Sequence, residues 1–356
     1  MISERILIIR LSALGDVVHT LAFVNRLRKA RPTAHITWIL QPLTYDLVKH
    51  QKNVDRFVVF DRTGGLTSLK KLSQELKNDY FDLIFMLQVS LKASAISLCA
   101  RGKIKLGFDF RRSRELQWLF SNTRIPHRPA GHVLDQFFEF LDFLNMADCP
   151  LDWNIDFTEE ELDYKKSFFN AISRPVVSFV IASSNPEKDW TIDGYAQVMD
   201  VVDERLNLQP LIVGGPSPRE RDLAEKITNR CRCSTPIIAL DEKPIRHTLL
   251  QLAGSAVVVG PDTGPTHMAV ALNVPTVALY GYSDPRRCGP YSRFQDLLID
   301  KYNLPAEYQK TVTRKTKKGR TCLINPAEVI EKIEYALKTY PVERSELFLN
   351  GLRTLA

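Results

Sequence analysis

The stretch Val259-Gly260-Pro261-Asp262-Thr263-Gly264-Pro265-Thr266-His267-Met268-Ala269 joins a predicted strand to a predicted helix, and it decides the fold. The apolar run Ala256–Val259 is typical of a buried strand, and residues 266–272 continue with helical spacing. Asp262 to Pro265 therefore form a turn at the carboxyl end of a strand, where open parallel sheets bind ligands. Gly264 permits close backbone approach, and the first amides of the helix favour an anion. The stretch predicts an α/β protein with a site for a phosphorylated ligand.

A simpler interpretation of this turn is open at this point. Asp262 or Thr263 can accept hydrogen bonds from the first helical amides, and His267 can lie on the surface. The rest of the chain has to decide between an anion site and an ordinary helix cap.

Length and composition indicate two domains and no membrane span. The 356 residues exceed what one hydrophobic core usually serves. No apolar run approaches the roughly 18 residues of a membrane span, and the first five residues show no signal-peptide pattern. We therefore expect a cytoplasmic protein. The net charge of +7 suits an anionic substrate, a membrane face or nucleic acid. Because the chain has no recognised nucleic-acid module or aromatic stacking motif, we expect no nucleic acid partner.

The six cysteines predict neither disulfides nor a zinc site. They are scattered, and the one close pair, Cys231 and Cys233, has a spacing that zinc sites do not usually use. We expect free thiols at Cys99, Cys149, Cys231, Cys233, Cys288 and Cys322.

Positive charge is concentrated in two segments. Eight basic residues lie between Arg101 and Arg128 against two acidic ones, and six lie between Tyr308 and Ala327 with no acid. We interpret the second segment as a solvated loop. The first interrupts the α/β alternation and is a candidate for binding an anionic partner.

The alternation of strands and helices runs twice along the chain and predicts two doubly wound, Rossmann-like domains. It lapses near residues 147–157, so we predict an N-terminal domain at 1–150, a C-terminal domain at 151–340 and a tail at 341–356. The predicted strands are 5–11, 35–40, 56–60, 81–87 and 103–108, then 175–182, 209–214, 236–240, 256–260 and 275–280. The predicted helices are 17–29, 66–77, 92–100, 132–146, 192–206, 219–229, 245–252, 266–272 and 325–339.

The turn Arg10-Leu11-Ser12-Ala13-Leu14-Gly15-Asp16 follows the first strand and carries one carboxylate. It lacks the spaced glycines of a dinucleotide fingerprint, and the chain has no Gly-Lys-Ser/Thr phosphate loop. Classical NAD binding and P-loop hydrolysis are therefore disfavoured. Asp16 can serve as a general base for a substrate hydroxyl, or it can cap the following helix.

The corresponding turn of the second domain carries two hydroxyls and a lysine. Ser183 and Ser184 can donate hydrogen bonds to phosphate oxygens, and Lys188 can offset charge on a departing phosphate. Gly215, after the next strand, permits close backbone approach or belongs to a tight turn. With Asp16 in one domain and these residues in the other, the turns predict a bilobed enzyme that closes on two substrates.

Three motifs resemble the family 9 glycosyltransferases, the lipopolysaccharide heptosyltransferases, and the resemblance covers nearly the whole chain. They are residues 10–20, residues 260–267, and Leu279-Tyr280-Gly281-Tyr282-Ser283-Asp284-Pro285 followed by Gly289-Pro290-Tyr291. The resemblance implies a GT-B fold, with two Rossmann-like domains facing an interdomain cleft. It also implies inverting transfer of L-glycero-D-manno-heptose from ADP-heptose to the inner core of lipopolysaccharide, with no metal and no other cofactor.

The same resemblance assigns roles to the residues of these turns. Asp16 matches the general base, Lys188 assists at the leaving diphosphate, and Arg10 stands at a usually basic position on the acceptor side. Ser183, Ser184 and Lys188 match diphosphate contacts, and Asp262, Thr263, Gly264 and His267 match the donor-binding loop. Asp262 is expected to orient sugar hydroxyls, because a diphosphate leaves without protonation. Near Gly215, the family's acidic adenosine contact finds Pro218 here, with Glu220 close by, which leaves that contact open.

The implied acceptor, of Kdo and lipid A, is rich in carboxylate and phosphate. It sits at the inner face of the cytoplasmic membrane of a Gram-negative bacterium. We therefore expect Arg111, Arg112 and Arg114 to bind the acceptor and to dock the enzyme peripherally on that membrane. Two alternatives stay open: a transferase or epimerase that uses another sugar nucleotide, and a non-catalytic sugar-nucleotide or glycolipid binding protein.

Overall fold

The structure is a computed structural model that describes residues 3–232, 235–240 and 244–341. Internal packing divides the chain into two units, Met1–Asp156 and Phe157–Ala356. Cys233 and the predicted tail beyond residue 341 lie outside the described residues. The other five cysteines carry free thiols, as the sequence predicts.

The first unit is built on one parallel sheet. Its elements are β1 (Arg5–Ile9), α1 (Leu14–Ala30), β2 (His35–Leu40), α2 (Pro42–Val48), β3 (Arg56–Val59), α3 (Gly65–Glu75), β4 (Tyr80–Met86), α4 (Leu91–Leu98), β5 (Arg101–Gly107), β6 (Thr123–Arg124) and α5 (Val133–Phe143). The six strands lie in the order β3-β2-β1-β4-β5-β6.

The second unit repeats this plan. Its elements are α6 (Glu159–Asn170), β7 (Val176–Val180), α7 (Ile192–Glu204), β8 (Gln209–Gly214), α8 (Pro218–Arg230), β9 (Ile237–Leu240), α9 (Ile245–Ala253), β10 (Val257–Pro261), α10 (Gly264–Ala271), β11 (Thr276–Tyr280), α11 (Pro285–Cys288), β12 (Ile299–Asp300) and α12 (Pro326–Thr339). The strands lie in the order β12-β11-β10-β7-β8-β9.

Each sheet has one point at which the strand order reverses. The chain runs outward from β1 to β3 and then returns to place β4 beside β1, so that Ile8 pairs with Trp38 on one side and Phe85 on the other. In the second sheet, β10 returns to pair with β7, with Val259 opposite Phe179. Ligands of open parallel sheets bind outside the carboxyl ends of the strands at such a reversal. The fold therefore points to the turns after β1, β4, β7 and β10.

The central strands are buried because helices cover both faces of each sheet. All five residues of β7, β10 and β11 are buried, and so are the last four of β1. This burial explains why their sequences read as continuous apolar runs rather than as an alternating pattern.

The predicted α/β architecture with two parallel sheets is confirmed. The observed strands start and end within two residues of the predicted bounds, and the helices within three. One helix start differs in a way that matters, because α1 begins at Leu14 and so includes Asp16 in its first turn. The helices α2, α6 and α11 were not predicted, nor were the two-residue edge strands β6 and β12. Among the described residues, no helix combines the length and the apolar character needed to cross a membrane.

Candidate functional site

The strand reversal of the second sheet brings two of the predicted turns together. The turn after β7 contains Lys188 and the turn after β10 contains Asp262, and the side chains meet because these strands are neighbours in the sheet. The Nζ atom of Lys188 lies 2.7 Å from Asp262 Oδ2 and donates to the Asp262 carbonyl oxygen at 3.1 Å. Two residues 74 positions apart in sequence thus form one polar cluster.

The carboxylate of Asp262 also has neighbours other than Lys188. The Nε2 atom of His267, one turn along α10, lies 3.3 Å from Oδ1. The Ser283 hydroxyl, after β11, donates to Oδ2, and the Cys288 thiol lies 3.7 Å from the same oxygen. Asp262 is therefore the centre of a buried cluster built from three strand ends.

The electrostatics of this cluster favour an ionised Asp262. Burial opposes ionisation, but the hydrogen bond with His267 and the ammonium of Lys188 outweigh it, so the pKa of Asp262 lies below its ordinary value. The opposite holds for Cys288, because burial and the Asp262 carboxylate both raise the pKa of its thiol. The site thus holds a carboxylate beside a neutral thiol.

The simpler interpretation of the turn as a helix cap is wrong. Thr263 is the N-cap residue of α10, but its side chain makes no capping hydrogen bond. The Asp262 carboxylate bonds to Lys188 and Ser283 instead, and His267 is 7 % exposed rather than on the surface. Gly264 and Pro265 form the first turn of the helix, as the sequence predicts. No side chain from the cap residue covers the amides at this helix start.

The two serines after β7 are placed differently. Ser183 is buried, its hydroxyl donates to the Asn185 carbonyl at 2.6 Å, and its amide donates to Asp189 at 2.7 Å. Ser184 is exposed. Arg219, near the start of α8, donates to Asp189 and to the Ser183 carbonyl, which adds a cation that sequence reasoning missed. The signal available for it was its place just after the Gly215 turn.

Gly215, which follows β8, lies against an acidic side chain. A Cβ atom added at Gly215 would lie 3.0 Å from Oε2 of Glu220, and the same oxygen accepts from the Ser217 hydroxyl at 2.8 Å. The Glu220 carboxylate therefore lies next to Gly215 and places an acidic group at this turn. Binding of a donor at Gly215 stays a prediction.

The turn after β11 holds part of the second basic segment in place. Asp284 is fully buried and accepts from Arg286 at 2.8 Å and 3.0 Å, from Asn303 at 3.2 Å and from the Thr313 amide at 3.2 Å. Burial opposes ionisation, but these hydrogen bonds lower the pKa of Asp284. The Lys317 amide donates to the Tyr282 carbonyl at 2.9 Å. The segment is therefore attached to the turn at the carboxyl end of β11, although Arg314, Lys315 and Lys318 are exposed as expected of a solvated loop.

At the reversal of the first sheet, Asp16 forms an ion pair with Arg10. The guanidinium of Arg10 also donates to the Leu87 carbonyl at 2.8 Å and lies over the ring of Phe137. Arg10 is 8 % exposed, whereas the side chain of Asp16 is 31 % exposed. Gln88, after β4, accepts from the Leu11 amide at 2.8 Å, which ties the two turns together. Asp16 is thus held by a buried arginine and stays accessible to a ligand.

The three arginines predicted to bind an acceptor do not share one environment. Arg111 and Arg114 are exposed. The side chain of Arg112 is only 8% exposed, and it bonds to Asp109, to Glu139 at 2.6 Å and to the Pro126 carbonyl at 3.0 Å. All of its side-chain nitrogens therefore have partners inside the unit. We now expect Arg112 to stabilise the segment, and Arg111 and Arg114 to remain the candidates for contact with an anion.

Comparison with known proteins identifies the family. The model of glycosyltransferase family 9 (heptosyltransferase) matches residues 69–318 of the chain. The chain belongs to glycosyltransferase family 9. It is an enzyme, a glycosyltransferase of the heptosyltransferase type, and the recognition drawn from its motifs is confirmed.

Curated and solved members of the family are similar over most of their length. The lipopolysaccharide core heptosyltransferase OpsX of Haemophilus influenzae is 32% identical over 85% of this chain and 86% of that protein. The crystal structure of a family 9 glycosyltransferase from Veillonella parvula has a TM-score of 0.79 at 25% identity and covers 94% of this chain and 97% of that one. The E. coli heptosyltransferase WaaC, solved with ADP, has a TM-score of 0.73 at 20% identity and covers 93% of this chain and 99% of that one. The predicted GT-B fold is thereby confirmed.

Proposed function

We propose that this enzyme transfers L-glycero-D-manno-heptose from ADP-heptose to the inner core of lipopolysaccharide, on Kdo-lipid A or heptosyl-Kdo-lipid A. The observation that carries the proposal is the cluster of Lys188, Asp262 and His267 at the strand reversal of a family 9 sheet. The name of the similar H. influenzae protein supports the lipopolysaccharide core as acceptor. The ADP bound in the structure of E. coli WaaC supports an adenosine diphosphate leaving group.

The second unit supplies the donor side of the proposed reaction. Lys188 offsets the charge that develops on the departing diphosphate, and the amides at the start of α10 donate to its oxygens. Ser183, Ser184 and the Gly215 turn are further diphosphate contacts in this proposal. Asp262, held ionised, accepts hydrogen bonds from sugar hydroxyls, while His267 fixes the orientation of its carboxylate.

The first unit supplies the base. Asp16 accepts the proton of an acceptor hydroxyl as that oxygen attacks the anomeric carbon from the face opposite ADP. The displacement breaks the bond from carbon to diphosphate oxygen and inverts the configuration at that carbon. Arg10 holds the carboxylate in place through its ion pair, and Arg111 and Arg114 contact anionic groups of the acceptor. The proposed reaction uses no metal ion or organic cofactor.

The lipid A portion of such an acceptor is anchored in a bilayer. We therefore propose that the enzyme works in the cytoplasm as a peripheral protein at the inner membrane of a Gram-negative bacterium. The excess of basic residues between Arg101 and Arg128 supports attraction to the anionic face of that membrane.

Product analysis tests the proposal. The protein is incubated with ADP-heptose and either Kdo-lipid A or heptosyl-Kdo-lipid A, and the mass of the acceptor is measured by mass spectrometry. The expected result is the mass increase of one heptose, with release of ADP and with no loss of activity in EDTA. A panel of ADP-, UDP- and GDP-sugars separates this donor from those of the alternative transferases and epimerases. Tight binding of ADP-heptose with no turnover on any acceptor would favour a binding protein instead.

A further inference from the structure

An exposed apolar surface lies on the first unit beside the carboxyl end of β4. It comprises Leu91 and Leu98 on α4, and Phe110, Leu116 and Leu119 on the segment that follows β5; we name it the apolar patch. The exposed fractions of these side chains run from 50% to 66%. Single exposed leucines are common in proteins, but a cluster of large apolar side chains marks an interaction surface.

Contacts within the unit hold the two parts of the apolar patch side by side. The Leu91 amide donates to the Glu115 carboxylate at 2.6 Å, which joins the start of α4 to the segment after β5. Leu91 and Leu98 are two helical turns apart and so share one face of α4. The ring of Phe110 packs 5.7 Å from that of Trp118. The start of α4 and the segment after β5 therefore lie next to each other, and each carries exposed apolar side chains.

The backbone holds Leu116 outward in an unusual conformation. Glu115 and Leu116 have φ angles of 49° and 60°, in the left-handed region that side-chain-bearing residues seldom adopt. The next residue, Gln117, is fully buried and donates to the Met86 and Gln88 carbonyls at 3.0 Å and 2.9 Å. These bonds fix the segment on the sheet edge, next to the exposed Leu116.

Positive charge surrounds the apolar patch. Lys92, Arg111 and Arg114 are exposed, and Glu115 is the exposed acid among them. Asp109 is buried and bonded to Arg112, so it adds little negative charge at the surface. A second copy of the chain would bring the same excess of positive charge to this surface. An anionic bilayer matches both features of this surface, because its acyl chains can bury the leucines and its headgroups can bind the cations.

We propose that the apolar patch inserts into the interface of an anionic lipid bilayer, with Lys92, Arg111 and Arg114 contacting lipid phosphates. The purpose of this docking rests on the proposed function, because an enzyme with a lipid-anchored acceptor has to work at a bilayer. The docking also has a direction. Gln88 bonds both to Gln117, through its carbonyl, and to the amide of Leu11, through its side chain, so the turn that leads to Asp16 lies on the same edge of the sheet.

Vesicle binding by the full chain tests the docking. The probes are vesicles of phosphatidylcholine alone and of phosphatidylcholine with phosphatidylglycerol, without any sugar acceptor. The test variant is Leu116→Asn/Leu119→Ser, since asparagine tolerates a left-handed backbone. The matched control is Leu66→Ser, which removes a leucine of the same unit that is 85% exposed and lies outside the apolar patch. Trp118 serves as a reporter, because the other three tryptophans are buried.

Three results are expected. The wild-type protein and Leu66→Ser sediment with the anionic vesicles and not with the neutral ones, and tryptophan fluorescence shifts to the blue. The double variant binds the anionic vesicles at least about tenfold more weakly, because it lacks two leucine side chains that the wild type buries in the lipid. Its transfer of heptose to a deacylated, water-soluble acceptor stays within about twofold of the wild type, since neither leucine takes part in the chemistry.

Two outcomes would overturn the docking. One is equal partitioning of the wild type and the double variant. The other is a wild-type dimer in sedimentation velocity that becomes a monomer in the double variant, which would assign the apolar patch to contact between copies. Neither outcome depends on heptosyl transfer. Failure of the proposed function would appear separately, as absence of transfer to the soluble acceptor by the wild-type protein.

Discussion

Lys188 and Asp262 form an ion pair between the ends of two adjacent strands, with 2.7 Å between Nζ and Oδ2. The same ammonium is the cation proposed for the leaving diphosphate. A bound diphosphate therefore competes with the Asp262 carboxylate for Lys188, and His267 and Ser283 keep that carboxylate partnered when the lysine turns to the phosphate. In the absence of a ligand, the ion pair fixes the position of the Lys188 ammonium at the strand ends.

Replacement of Lys188 is expected to weaken binding of the diphosphate and not of the nucleoside. A charge-assisted hydrogen bond contributes about 1.5–3 kcal/mol, so Lys188→Ala should weaken ADP binding by roughly ten- to a hundredfold. Titration calorimetry with ADP and with adenosine measures the difference, and Lys166→Ala, an exposed lysine of the same unit, is the control. An equal loss of affinity for adenosine would contradict the phosphate contact.

Replacement of Asp16 is expected to lower turnover without weakening the donor. Asp16→Asn removes the base but keeps the shape of the side chain, so kcat should fall by at least about a hundredfold. Binding of ADP should be unchanged, which also shows that the second unit is folded. Asp46→Asn changes a more exposed aspartate of the same unit and should retain full activity. Full turnover by Asp16→Asn with both substrates would remove Asp16 from the chemistry.

Acid is expected to destabilise the second unit through Asp262. The folded protein holds the pKa of this carboxyl below its ordinary value of 3.8. Its contribution to the free energy of unfolding is therefore present above about pH 4 and is lost as the pH falls below that value. Asp262→Asn should be less stable than the wild type at neutral pH by about 2 kcal/mol, because Lys188 loses its carboxylate partner. The loss is limited because Lys188 is partly exposed and water can solvate its ammonium.

Denaturant unfolding of wild type and Asp262→Asn at neutral pH and in acid measures this effect. The gap between the two proteins should narrow as the pH falls below about 4. A gap that stays constant would mean that Asp262 has no depressed pKa.

The arginines after β5 are expected to separate into two classes. Arg112→Ala removes the cation from the buried Asp109 and Glu139 and should lower the free energy of unfolding by about 3 kcal/mol. Arg111→Ala/Arg114→Ala changes exposed side chains and should alter stability by less than about 0.5 kcal/mol per site.

Kinetics then distinguish the roles of these arginines. The double variant should raise KM for a deacylated anionic acceptor by severalfold and leave KM for ADP-heptose unchanged. The effect should shrink at high salt, because exposed charges are screened. An unchanged acceptor KM would leave the exposed pair without a part in acceptor binding.

The elements of the fold were predictable where one local signal decides them. Strands such as β7 and β10 are continuous apolar runs because both of their faces are covered. The helix α6 was missed because only Lys165 and Phe169 of its residues are buried, so its apolar pattern is weak. Its capping box of Thr158 and Glu161 was the available signal.

The site was predictable only in part for a related reason. That Lys188 and Asp262 lie at the same edge of a sheet follows from the parallel topology that the sequence predicts. That Ser283 bonds to Asp262, and that Arg219 bonds to Asp189, depends on the strand order and on the direction of each side chain, which no local pattern encodes. In the same way, the burial of Arg112 follows from the position of Glu139 on a helix 27 residues further along.

The matching strand orders of the two sheets have a consequence for how this chain can be recombined. All the strand pairings described are made within one unit, and the break between units follows Asp156. A chimera can join the first unit of another family member, the segment that corresponds to residues 1–156 here, to residues 157–356 of this chain. Such a chimera keeps each ladder of backbone hydrogen bonds intact. Because acceptor contacts are proposed on the first unit and donor contacts on the second, we expect such a chimera to take its acceptor from one parent and its donor from the other, and so to form a new glycosidic linkage.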